Sequence, residues 1–222
     1  DTTLYIWADG NKMQADHMLH KKAAYLNKDF FVVRLVIYFV FWGVLSRFLF
    51  SKSVEQDKTG APEIRSKLQG LCAPSMILLA LTLTFASIDF LMTLEPKWYS
   101  TIFGVYYFAG AVVSFHSFFA LTLMWLQKNG RLAKSVTSEH YHDIGKMMFA
   151  FTAFWAYIAF SQFMLIWYAN IPEETEWYHL RAHGPWGMVS FAMIAVNFVI
   201  PFFGLMSRHV KRNRFGLGFW AV

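Results

Sequence analysis

Asp89 stands inside a hydrophobic run, in the stretch Ser87-Ile88-Asp89-Phe90-Leu91-Met92-Thr93-Leu94-Glu95-Pro96-Lys97-Trp98-Tyr99-Ser100-Thr101-Ile102-Phe103-Gly104 that joins two such runs. An ionised carboxylate in hydrocarbon is penalised by kilocalories unless it is paired, hydrated or protonated, so Asp89 needs a partner or a proton-linked task. Counting about 1.5 Å per residue, it lies roughly 6–9 Å inside the end of its run, and Arg34 lies at a similar depth in the preceding run. The two can pair. Ser75, Thr82 and Asp89, spaced by seven, share one helical face and set small hydroxyls below the acid. Two readings stand: a polar lane for protons, or a structural ion pair with hydroxyls bonded back to the preceding turn.

His116 sits near the middle of the third hydrophobic run between Ser114 and Ser117, where a neutral imidazole can relay protons or bind a haem iron. A haem held by two histidines needs a second one at similar depth. His183 and His209 fall at opposite helix ends and His17, His20, His140, His142 and His179 in loops, so a hydrogen-bonded core histidine is the better reading of His116. Ser161, Gln162 and Asn197 are mid-run polar groups suited to bridging helices or holding water. The run Glu139-His140-Tyr141-His142-Asp143 matches no standard zinc spacing, and Asp143 is expected to cap the helix that follows. Pro172 with Glu173 and Glu174 reads as a helix start. Gly104 and Gly110 permit close helix approach. The lone Cys72 excludes an internal disulfide and a multi-thiolate cluster. No phosphate loop, HExxH or serine-nucleophile elbow is present.

The elements that must position these groups follow from composition. Of the 222 residues, 56% are hydrophobic and 15% charged, and the mean hydropathy is +0.35, which marks an integral membrane chain. A spanning helix needs about 20 mostly apolar residues. Runs at Phe30–Phe50, Ala73–Leu94, Ile102–Leu126, Lys146–Ala169 and Trp186–Ser207 qualify, giving an all-α polytopic transmembrane bundle of five helices. Residues 1–29 read as an outer-side interfacial segment with a short helix around Asp16–Leu26, 30–207 as the bundle, and 208–222 as an inner-side basic segment. The apolar tail Phe215–Val222 is expected to open a further helix of a longer parent, and the start at Asp1, without Met or a charged leader, to be a segment boundary.

Lysine and arginine set the orientation. Lys52, Lys58, Arg65, Lys67, Lys128, Arg131, Lys134, Arg208, Lys211, Arg212 and Arg214 fall on one side, read as cytoplasmic; the loops with Lys97 and Arg181 face outward. Lys12, Lys21, Lys22 and Lys28 fall on the outer side and weaken the contrast. The inner loops explain the net charge of +6 and the pI of 9.4 without nucleic acid. Trp98, Tyr99, Trp167, Tyr168, Trp177, Tyr178 and Trp186 read as an outer aromatic belt.

Four stretches carry a resemblance: HKKAAYLN from His20, SIDFLMTLEPKWYSTIFGVYYFAG from Ser87, EHYHDIGK from Glu139, and FWAYIAFSQFMLIWYANIPEETEWY from Phe154. They resemble the F subunit of alternative complex III, the bacterial quinol:electron-acceptor oxidoreductase, a relative of the NrfD-like polysulfide-reductase membrane subunits. The resemblance implies half of a ten-helix protein in the bacterial inner (cytoplasmic) membrane. It further implies a respiratory complex whose partner subunits, a multihaem cytochrome c, an iron–sulfur protein and a homologous NrfD-like membrane subunit, hold c-type haems and iron–sulfur clusters, with quinol in the complex and no cofactor in this chain. It places Asp89, Glu95, Tyr157 and Gln162 in the family's proton route; His116 lies outside the matched stretches, and Asn197 stands where histidine is expected.

The chain is thus expected to be a non-catalytic subunit that supports proton translocation coupled to quinol oxidation. Burial favours the neutral form of a carboxylate, so such an acid can accept and pass on protons near neutral pH. The expected path runs from Asp89 and Glu95 at the outer end, through Tyr157, Gln162 and His116, towards Lys146. Two alternatives are a quinone-binding anchor using Arg34, Asp89 and His183, and a secondary transporter with helices broken near Pro74 and Pro201.

Overall fold

In a computed structural model, residues 4–222 are described, and every regular element among them is helical. Five helices are long and apolar enough to cross a membrane: Lys28–Thr59, Pro62–Leu94, Phe103–Lys128, Ser138–Ala169 and Gly184–Met206. The protein is an integral membrane protein with several spans. Its contacts divide into two units, Asp1–Gly104 and Val105–Val222.

The first unit opens with a single 3₁₀ turn, Ile6–Ala8, and two short helices, α1 (Gly10–Ala15) and α2 (His17–Lys21). The helix expected over Asp16–Leu26 stops at Lys21, where the chain passes into three-residue turns (Lys22 N–H to the Leu19 carbonyl, Ala23 N–H to the His20 carbonyl), while aspartates set the helix starts. Asp9 accepts from the Asn11 N–H at 3.0 Å and starts α1; Asp16 ends it and accepts from the Met18 N–H at 2.9 Å, starting α2. Trp7, Met13, Leu19 and Leu26 are buried together against Tyr5 and Phe31. The segment is stapled down by the Tyr5 hydroxyl on the Phe90 carbonyl at 3.2 Å and by the Lys97–Asp16 ion pair at 2.7 Å.

Asn27 accepts from the Phe30 N–H at 2.9 Å and starts α3 (Lys28–Thr59). The apolar run ends at Phe50, but the helix continues through polar turns supported by the Lys52–Glu55 pair at 2.7 Å and stops at Gly60, whose φ of 65° suits glycine. Pro62 then opens α4 (Pro62–Phe90), well before the expected Ala73, and a 3₁₀ turn Met92–Leu94 closes it. Moving along α3 from Arg34 to Trp42 carries the partner back along α4 from Asp89 to Thr82, as an antiparallel hairpin requires.

The second unit contains α5 (Phe103–Lys128) from Val105 onward, α6 (Ser138–Ala169), α7 (Pro172–Ala182), α8 (Gly184–Ile194), a π-helical turn Ala195–Val199, α9 (Ile200–Met206), α10 (Arg208–Arg212) and α11 (Arg214–Ala221). Helix α6 begins earlier than expected, because Thr137 and His140 form a reciprocal cap. Asp143 is therefore no cap: it lies inside the helix and pairs with Lys146 at 2.6 Å. Helix α7 starts at Pro172 with Glu173 and Glu174 in its first turn.

Aromatic pairs such as Tyr106–Trp155 and Phe108–Phe151 line the α5–α6 contact, with ring centroids 5.4 and 6.0 Å apart. Ala120, Leu123, Tyr141, Ile144, Met148, Leu205, Leu217 and Ala221 form the core. The tail helix α11 puts Leu217 and Ala221, one turn apart, into that core.

Two predictions follow from these packing and charge contacts. A Cβ on Gly204 would overlap the six-membered ring of Trp220, so Gly204→Ala should destabilise the second unit by roughly 1–3 kcal/mol and Trp220→Leu should restore it, read by thermal unfolding in detergent. In the first unit, the Lys97 hydrogen bond holds the Asp16 carboxyl below its usual range. A depressed folded value means the contribution is present above the unfolded value, about 3.9, and is lost as pH falls through the folded one. Amide exchange across residues 6–26 should accelerate in acid below about pH 4, and Lys97→Ala should remove that dependence.

Candidate functional site

Asp89 is 1% exposed, and three donors reach its carboxylate. Arg34 Nε donates to Oδ2 at 2.8 Å and Arg34 Nη2 to Oδ1 at 3.0 Å; the Tyr38 hydroxyl donates to Oδ2 at 2.7 Å. The bidentate fork is the strong form of this contact. Arg34 spends a further donor on the Tyr25 carbonyl at 3.1 Å, and its guanidinium carbon lies 3.9 and 4.4 Å from the ring centroids of Tyr25 and Phe30. The Thr93 hydroxyl donates to the Asp89 carbonyl at 2.5 Å and fastens the end of α4.

Local sequence places each member. Tyr38 follows Arg34 by one helical turn on α3, so both present to the same face of α4. Tyr25 is delivered by the turn before Asn27. Its hydroxyl is buried and closes no hydrogen bond of ordinary geometry. Burial, reinforced by the charge of Asp89, pushes that hydroxyl up to about 12, so it remains a phenol, able to donate, at neutral pH.

Below the clamp, the Trp42 indole N–H donates to Thr82 Oγ1 at 3.0 Å, while Thr82 bonds back to the Leu78 carbonyl at 2.9 Å. Ser75 is also buried. The Ser75–Thr82–Asp89 stripe therefore faces the hairpin interior, with Thr82 tied to its own turn.

Beside the clamp, a partly open groove of about 540 Å³ is lined by Lys21, Lys22, Tyr25, Leu26, Met92 and Tyr99, among others. Trp98, expected in the interfacial belt, is instead buried at 3% with its ring edge-on to Phe103 at 5.9 Å. Tyr99, Trp167, Tyr168 and Trp186 are exposed, as anchors would be.

The remaining expected site residues are more dispersed. Glu95 is exposed in the turn after α4. In the second unit His116 is half-buried, with Nδ1 2.8 Å from the Val112 carbonyl. Tyr157 is 64% exposed whereas Gln162 is 5% exposed, because five residues along α6 turn a side chain to a different face. Lys146 is exposed and paired with Asp143. Among the described residues no hydrogen bond links any two of these side chains. Of the quinone-binding set, Arg34 and Asp89 meet, while His183 is exposed in the second unit, its Nδ1 2.8 Å from the His179 carbonyl.

Two of the buried polar contacts that the sequence did not announce are those of Tyr38 and Gln127. Tyr38 had the one-turn spacing from Arg34 as its signal. Gln127, which accepts from the buried Tyr141 hydroxyl at 2.8 Å and donates to the Val136 carbonyl at 2.7 Å, had none. Among the described residues no group of three His, Cys, Asp or Glu side chains is placed to hold a metal ion.

Removing one member of a buried pair strands the other. Arg34→Leu or Asp89→Leu alone should cost roughly 3–5 kcal/mol, and the double replacement much less than the sum. Tyr38→Phe should cost roughly 1.5–3 kcal/mol, the worth of a hydrogen bond to a charged group. Denaturant unfolding of the wild type and these variants in detergent measures the losses, and the cycle of wild type, Arg34→Leu, Asp89→Leu and the double replacement gives the coupling.

No family model matches the sequence, and no curated protein matches it.

Proposed function

We propose that this protein is a helical membrane subunit of a respiratory quinol:electron-acceptor oxidoreductase of the alternative complex III kind, supporting proton translocation coupled to quinol oxidation. The observation that carries this reading is the buried Asp89 carboxylate, seated in the SIDFLMTLEPKWY segment and held by Arg34 and Tyr38. A guanidinium is a permanent cation. A proton arriving on Asp89 therefore leaves the guanidinium without its counter-ion, so proton occupancy is coupled to where Arg34 sits. That coupling is what a proton-linked subunit needs.

In this reading, electron transfer belongs to a multihaem cytochrome c and an iron–sulfur subunit, with a second NrfD-like subunit alongside in the bacterial inner membrane. Asp89 and Glu95 serve the outer end, and His116, Tyr157, Gln162 and Lys146 serve the second unit. A second reading, a quinone-binding anchor, draws on the buried Arg34–Asp89 pair of its expected residues. Transport has weaker support: Pro74 lies within continuous helix and Pro201 in the first turn of α9, so neither breaks a span.

Affinity purification of the native assembly should bring down c-type haem absorption and an iron–sulfur protein. Asp89→Asn in that assembly should lower proton-coupled turnover about 100-fold, the scale of a lost proton-transfer group. A chain that purifies without redox partners, or an Asp89→Asn complex with unchanged electron and proton transfer, would overturn the proposal.

A further inference from the structure

We propose that the groove beside Tyr25 is a binding site for an acidic phospholipid, its phosphodiester held by the Lys21 and Lys22 ammonium groups and its upper acyl chain lying on Leu26, Ile88 and Met92. The groove lies wholly within the first unit, where α4 ends and the interfacial segment folds over it. Its mostly apolar lining includes Lys21 and Lys22, the combination an anionic amphiphile asks for rather than a uniformly polar or uniformly apolar molecule.

Lys22 is the telling residue. It is half-buried, its Nζ donates to the Pro96 carbonyl at 2.6 Å, and it lies 5.4 Å over the Tyr99 ring. Among the described residues no carboxylate pairs with it: the nearby Asp16 is taken by Lys97, and Asp89 by Arg34. An ammonium has three donors, and the carbonyl uses one. Burial lowers the pKa of this amine, as expected of a cation whose desolvation is not repaid by an anion. An arriving phosphate supplies that anion and the missing acceptors.

The residue types also fit: the apolar Leu26, Ile88 and Met92 line the groove together with Lys21, Lys22 and the exposed Tyr99, the kinds of side chain found where hydrocarbon meets headgroups. A quinone ring would satisfy the apolar lining and leave Lys22 uncompensated. Free phosphate would do the reverse.

The test is native mass spectrometry of the full-length, delipidated protein in detergent, titrated with phosphatidylglycerol and phosphatidylcholine. Phosphatidylglycerol should be retained in preference. Lys22→Met should weaken its binding about fivefold and the Lys21→Met/Lys22→Met pair about 25-fold, the loss expected for one and two lysines near an anionic headgroup. Lys58→Met, at the far end of α3, should change nothing. Equal retention of the two lipids by the wild-type protein, a measurement that needs no variant to fold, would overturn the proposal. So would full binding by the double variant, displacement by inorganic phosphate alone, or displacement by a short-chain quinone.

Discussion

An anion removed from water has to be answered by cations and donors within hydrogen-bond reach, and in the first unit that requirement organises everything around Asp89. Its carboxylate sits on α4, the guanidinium that meets it on α3, and the ring that covers the guanidinium on the turn leading into α3. Three pieces of chain separated in sequence are thus fixed by one charge. Continuum reasoning warns that such a pair adds little net stability over well-packed apolar residues. What it does supply is uniqueness: a helix slipped by one residue would leave two charges stranded in hydrocarbon.

The second unit solves its packing by other means. Its main cluster is apolar, its α5–α6 contact is lined by large rings, and a buried polar contact, Gln127 with Tyr141 and the Val136 carbonyl, ties the end of α5 to the start of α6. Its ion pairs, Arg212 with Glu139 and Lys146 with Asp143, are on exposed or half-buried side chains, and the one buried cation among its described residues, Lys211, lies over the Phe149 ring. The contrast between a unit registered by an ion pair and a unit registered by shape is a physical reason to look for proton-linked behaviour in the first.

Hydropathy alone made the five spans legible, because the composition of lipid-crossing helices leaves few alternatives. Their ends were not. Polar turns at Ser51–Thr59 and before Ala73 remain helical, since a cap or a left-handed glycine ends a helix and a fall in hydropathy does not. Asp143 misled for the same reason: it resembles a cap, but Thr137 with His140 had already started the helix. Arg34 and Asp89 stood out because charge inside an apolar run is conspicuous. Tyr38 did not, since a tyrosine there raises no alarm, and Lys22 was hidden among the other lysines of a polar segment. Burial depends on what folds over a residue, and that information lies elsewhere in the chain.

The π-helical turn Ala195–Val199 gives the last span two identities. The Asn197 amide donates to the Met193 carbonyl at 2.9 Å, intruding on the ladder at that point. One residue beyond the regular α repeat rotates all that follows by about 100°. Before it, α8 has no buried residue; after it, α9 turns Leu205 inward and sets Gly204 under Trp220. The helix is a single rod written in two phases, with a slip between them that lets one stretch look outward while the next locks onto its own unit.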